Sequence, residues 1–176
     1  MRREQNNKKL TIHTGDVVDF ESGSAFKLAG TDVTVALANA TIPANRAETV
    51  AATRPVTAAE TGKTFFLSHA TEFVCTLPAP AAGLSYSFIV ANAPESADYT
   101  IVSASAANII LGHVLSSDLD AAGDGDSEPA TGGDTISFVA SKAVLGDRVD
   151  VISDGTNWFV RASCAAFDAI TITTAA

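Results

Sequence analysis

Charge is scarce in this chain. Only 18% of its 176 residues are charged, and cations are the scarcer sign: 11 Lys and Arg stand against 20 Asp and Glu, a net charge of −9. A body of that sign repels phosphate backbones, so nucleic acid is not an expected partner. Cysteine is nearly missing as well. Cys75 and Cys164 are too few for a disulfide framework and are not spaced for zinc. Alternation places Cys75 on one strand face with Phe73 and Leu77, and Cys164 with Trp158, Val160 and Ala162, so both read as small buried hydrophobes. A bridge between them would need an oxidising medium, and synthesis in a reducing cytoplasm is the simpler expectation. There is no apolar run long enough to cross a membrane as a helix. The opening Met1 to Lys9 is charged with no apolar stretch behind it, so no secretory signal is expected.

Recognisable catalytic motifs are also missing. There is no Gly-x-Ser-x-Gly, no phosphate-binding loop, no Gly-x-Gly-x-x-Gly after a strand and no His-Glu-x-x-His. His13, His69 and His113 stand alone in sequence, and His69 and His113 read as hydrogen-bonded structural residues on strands. A Cys–His nucleophilic pair has no feature to mark an activated thiol. No enzyme activity, cofactor or membrane contact is expected.

What is present is β-patterned. Residues 16–20, 25–28 and 32–37 look like three short strands; Phe26 and Leu28 alternate, as do Val33, Val35 and Leu37. Such short strands bury little alone and are expected to pack on the body or on other subunits. Residues 39–56, with Pro43 and Pro55, read as an irregular connector in which a short helix over 44–52 is conceivable. From Val56 onward strands are expected over 64–68, 72–77, 84–90, 99–103, 108–115, 135–140, 148–153, 158–163 and 169–173. Turn chemistry separates them, with Asp154-Gly155 as the hairpin signal. The fold expected is all-β, an antiparallel sandwich or barrel of jelly-roll type. It divides into a basic arm (1–15), short strands and connector between subunits (16–55), and the body (56–176). Phe65, Phe66, Tyr86, Tyr99, Trp158 and Phe159 are its core candidates, although only one of Trp158 and Phe159 can face inward in a strand. The other is an edge contact or part of an interface.

Two segments invite a binding role. Arg2, Arg3, Lys8 and Lys9 crowd the first nine positions, followed by Leu10 and Ile12. This is either a solvated end or an arm that lies on an acidic neighbour. Asp118, Asp120, Asp124, Asp126 and Glu128 sit among glycines and could wrap a calcium ion, but the register does not follow the EF-hand. An exposed acidic loop is the plainer reading, and no metal site is expected. Asn39-Ala40-Thr41 matches a glycosylation sequon that has no secretory signal to accompany it.

The series Glu60-Thr61-Gly62-Lys63-Thr64-Phe65, Thr76-Leu77-Pro78-Ala79-Pro80-Ala81-Ala82-Gly83-Leu84, Leu145-Gly146-Asp147-Arg148-Val149 and Ser153-Asp154-Gly155-Thr156-Asn157-Trp158-Phe159-Val160 resembles virion proteins of tailed bacteriophages. Phe26-Lys27-Leu28-Ala29-Gly30-Thr31 adds to it. The resemblance is to capsid decoration (cement) proteins and to β-rich modules of tail fibres. It implies a structural protein made in the host cytoplasm and placed on the outer capsid, binding the major capsid protein and itself, as a homotrimer. The arm, Arg2, Arg3, Lys8, Lys9, Leu10 and Ile12, would then reach the capsid. The alternative it leaves is a tail-fibre or spike module that binds a host surface glycan. A hydrolase on a β scaffold is the reading from another class, and it would need a pocket of polar groups with perturbed pKa values.

Overall fold

The computed structural model describes residues 27–28, 31–32, 46–69, 71–105, 107–117 and 132–174. The chain forms two compact units, Met1–Ala44 and Asn45–Ala176. In the first, β1 (Lys27–Leu28) pairs antiparallel with β2 (Thr31–Asp32), with Lys27 opposite Asp32. The remainder of the three expected N-terminal strands, the arm residues Arg2, Arg3, Lys8, Lys9, Leu10 and Ile12, and the sequon at Asn39 lie outside the described residues. So does the acidic segment with Asp118, Asp120, Asp124, Asp126 and Glu128.

The second unit is all-β. Its strands are β3 (Ala47–Val50), β4 (Arg54–Pro55), β5 (Lys63–Leu67), β6 (Phe73–Thr76), β7 (Ser85–Val90), β8 (Tyr99–Val102), β9 (Ile110–Ser116), β10 (Thr135–Phe138), β11 (Arg148–Ser153), β12 (Trp158–Cys164) and β13 (Ile170–Thr173). They form a six-stranded sheet in the order β3-β5-β7-β11-β12-β9 and a five-stranded sheet in the order β13-β10-β8-β6-β4. Most strands bury alternate residues, as in Trp158, Val160, Ala162 and Cys164 of β12, and the buried rows of both sheets form one core. The result is a sandwich.

The pairing is mixed rather than antiparallel throughout, which sets it apart from a jelly roll. From β3 to β8 the chain alternates between the two sheets, so that β3, β5 and β7 run parallel in one and β4, β6 and β8 run parallel in the other. These three turns form a coil. Parallel register places like side chains over like: Phe65 stacks on Phe88 at 5.2 Å between centroids, and Phe73 on Tyr99 at 4.4 Å. Such pairs add roughly 0.5–1.5 kcal/mol beyond their buried area. After β8 the direction reverses, with β10 antiparallel to β8 and β11 antiparallel to β7. The Asp154-Gly155 turn makes the hairpin expected of it, joining β11 to β12 with Ser153 opposite Trp158. The Asp154 carboxylate accepts the N–H groups of Thr156 and Asn157, both at 2.8 Å, which closes the turn on itself.

Two expectations are corrected. Residues 39–56 are not simply irregular: β3 and β4 bring 47–50 and 54–55 into the sheets as edge strands, and no helix forms over the described part of 44–52. Pro55 is tolerated because an edge strand leaves one side of its backbone unpaired. Phe66, expected in the core, faces outward beside the fully buried Phe65. Trp158 is the inward member of the Trp158–Phe159 pair, with Phe159 44% exposed.

Candidate functional site

The outward faces of the two sheets differ in chemistry. Alternation turns Val74, Thr76, Thr100, Val102, Thr135, Ser137, Thr171 and Thr173 outward from the five-stranded sheet, a surface of short polar and β-branched side chains. The six-stranded sheet instead carries large apolar groups outward. Three register rows cross its β7, β11, β12 and β9. One runs Ser85, Ile152, Phe159, Leu111; the next Ser87, Asp150, Arg161, His113; the third Ile89, Arg148, Ser163, Leu115. Ile152 is 54%, Phe159 44% and Leu115 49% exposed. Isolated exposed apolar residues are ordinary, but several on one sheet face make it a candidate interaction surface.

Between two of these rows the face dips into an open depression of about 510 Å³, lined by Ser85, Ser87, Asp150, Ile152, Phe159 and Arg161 among others. Arg148 grips Asp150 through Nε and Nη2, at 2.7–2.9 Å. Ser87 donates its hydroxyl to the same carboxylate at 2.5 Å. Asp150 is thus held, whereas Arg161, its neighbour across the strand pair, has no hydrogen bond or ion pair among the described residues. The face therefore presents one uncommitted cation beside an apolar pair.

A second charged group lies at the entry end of the coil. Glu48 of β3, Arg54 of β4, Glu60 at the end of the 3-10 turn Ala58–Glu60 and Lys63 of β5 form an alternating cluster: Lys63 Nζ reaches Glu48 at 2.5 Å and Glu60 at 3.0 Å, and Arg54 pairs with both acids. Both cations also stand over the Phe65 ring, at 5.4 and 5.8 Å. Burial alone would raise the Glu60 carboxyl. Hydrogen bonds from the Thr57 N–H, Lys63 and Arg54 outweigh it and hold the group at about 2. All four side chains are committed to one another, so the cluster closes the core at its first turn and offers no free group for chemistry.

His13 lies outside the described residues, and the described thiols and histidines singled out from sequence stand on different elements or are inert. Cys75 and Cys164 are both buried free thiols. Burial pushes Cys75 up to about 11 and raises Cys164 too. His69 lies just past the end of β5 rather than on a strand, where Nδ1 accepts the Thr71 N–H at 2.9 Å. His113 is on β9 as expected and is exposed. Among the described residues no group of three or more His, Cys, Asp or Glu could hold a metal ion. No described helix is long and apolar enough to cross a membrane.

The outward apolar set was legible only in part. Phe159 beside Trp158 drew attention, but Phe65-Phe66, Ile110-Leu111 and Val151-Ile152 carry the same signal, because two large apolar neighbours in one strand must point to opposite faces. Comparison of the chain with known protein families, curated proteins and solved structures finds no match.

Proposed function

We propose that the chain is a structural protein of a tailed-phage particle, a non-enzymatic decoration protein that fixes to the outer capsid through its basic arm and clamps adjacent capsomers. The observation that carries this reading is the contrast in charge between the first nine residues and the second unit. Four of the 11 cations stand in the first nine residues, whereas residues 45–176 hold six Lys and Arg against fifteen Asp and Glu. A basic end on an acidic body is suited to bind an acidic neighbouring surface while the body stays off it. The coiled sandwich supports the reading as a compact block that can stand on a particle, and the resemblance of its turn and strand phrases to virion proteins names the particle. Several weak arm contacts per assembly would act together through multivalency.

The test uses the full chain and phage heads stripped of it. Replacing Arg2, Arg3, Lys8 and Lys9 by Glu is expected to reduce co-sedimentation with heads at least tenfold, with the melting temperature unchanged. Undiminished binding would overturn the arm's role. Binding to host cells rather than heads would favour the tail-fibre alternative.

A further inference from the structure

We infer that the outward face of the six-stranded sheet is the contact between two copies of this chain, packed face to face about a two-fold axis that runs along the strand direction between β11 and β12. The inference does not depend on the virion reading. It rests on how the three register rows map onto themselves.

A two-fold axis along the strands keeps each residue at its own height and exchanges β11 with β12 and β7 with β9. Across such an interface Ile152 meets Phe159 of the other copy, and Asp150 meets Arg161. Ile89 meets Leu115, and Ser87 meets His113. Ile152, Phe159, Ile89 and Leu115 each find an apolar group, Leu111 meets Ser85 and Arg148 meets Ser163, and the uncommitted Arg161 finds a carboxylate in each of the two symmetric contacts. Asp150 Oδ1 already accepts Ser87 and Arg148, whereas Oδ2 accepts only Arg148 Nε and so can accept a second guanidinium. Turning the axis by a right angle, along the rows, would set Arg161 on Arg161 and Asp150 on Asp150, and like charges there are repelled. The charge pattern thus selects one of the two simple ways to stack this sheet on itself.

The alternative occupants fit less well. The other sheet's Thr, Ser and Val surface has no comparable apolar set. A three-fold assembly needs two different patches in contact, whereas this face is complementary to itself, the mark of an isologous pair. Sheets stacked in this way lie about 10 Å apart with strands crossing at about 30°, and large outward side chains such as Ile152 and Phe159 fill that gap. The four central strands span roughly 20 Å by 20 Å at ~4.8 Å per strand and ~3.3 Å per residue. That is small for a protein interface, so the pair is expected to form in the micromolar range.

Sedimentation-velocity measurements at about 5 and 200 μM test this. The wild-type chain of 18.0 kDa is expected to approach twice that mass at the higher concentration. Arg161→Glu and Phe159→Asp are each expected to weaken association at least tenfold without loss of strand signal in circular dichroism. The double variant Asp150→Lys, Arg161→Glu, which exchanges the partners across the axis, is expected to regain it. Thr171→Lys on the opposite sheet should have no effect. A wild-type monomer at 200 μM, a trimer, or a dimer indifferent to both Phe159→Asp and Arg161→Glu would overturn the assignment. If the double variant fails to fold, the two single variants still decide.

Discussion

Arg54 on β4 and Glu48 on β3 form an ion pair that ties the edge strands of opposite sheets together. The pair exists because both side chains point toward the interior at the first turn of the coil, where no earlier turn of the second unit packs beside them. Glu48 is in register with the buried Phe65, and Arg54 with the buried Cys75. With Glu60 and Lys63 they close the end of the sandwich with charge in place of apolar bulk.

That closure makes the body sensitive to acid. Glu60 is held at about 2, below its ordinary value of 4.5. A carboxyl lowered by folding favours the folded state above its unfolded value, and the benefit disappears as pH falls from 4.5 toward 2. Thermal melts between pH 7 and pH 2.5 should show a falling melting temperature across this window. Glu60→Gln should lose about 1–2 kcal/mol at pH 7, roughly 2–8 °C, and show a flatter acid limb. An unchanged acid limb would assign the acid sensitivity to other carboxylates.

The thiols should be silent in the folded protein. Both are buried and disfavoured as thiolates, and each packs in its strand as a small apolar group. A thiol reagent at pH 8 is expected to titrate none in the native chain and two after denaturation. Rapid labelling of either native thiol would contradict the placement of its strand.

Asp147 fastens the turn before β11 to the end of β12. It is 4% exposed, and its two carboxylate oxygens accept the N–H groups of Val144 and Ala165, each at 2.9 Å. Asp147→Ala would strand two backbone donors and should cost about 2–4 kcal/mol. Asp147→Asn keeps an acceptor for one of them and should cost less. Chemical denaturation of the two variants measures the difference. Equal losses would mean that the side chain's volume, not its hydrogen bonds, matters.

Much of the fold was legible from alternation. The strands expected from Thr64 to Thr173 all form, within two residues at most ends, because Phe73, Cys75 and Leu77, or Trp158, Val160 and Ala162, announce a buried face in any β arrangement. Partnering was not legible. Period two says which way a side chain points but not whether the next strand returns in the same sheet, so the turn chemistry of Pro78–Gly83 does not reveal that the chain crosses there to the other layer. β3 shows no apolar alternation because Glu48 occupies its inward position and joins an ion cluster, leaving Val50 as its one buried residue. β4 is two residues long and includes Pro55, which looks like a breaker until its edge position is known. The outward face of the six-stranded sheet was hidden for the same reason as the pairing: Ile152, Phe159, Leu111 and Leu115 become one surface only once β11, β12 and β9 are neighbours.

Immunogold electron microscopy of intact virions, with an antibody raised against the full chain, tests the proposed function most directly. Label spread over the head is the predicted result. Label confined to the tail, or no label on the particle, would contradict it.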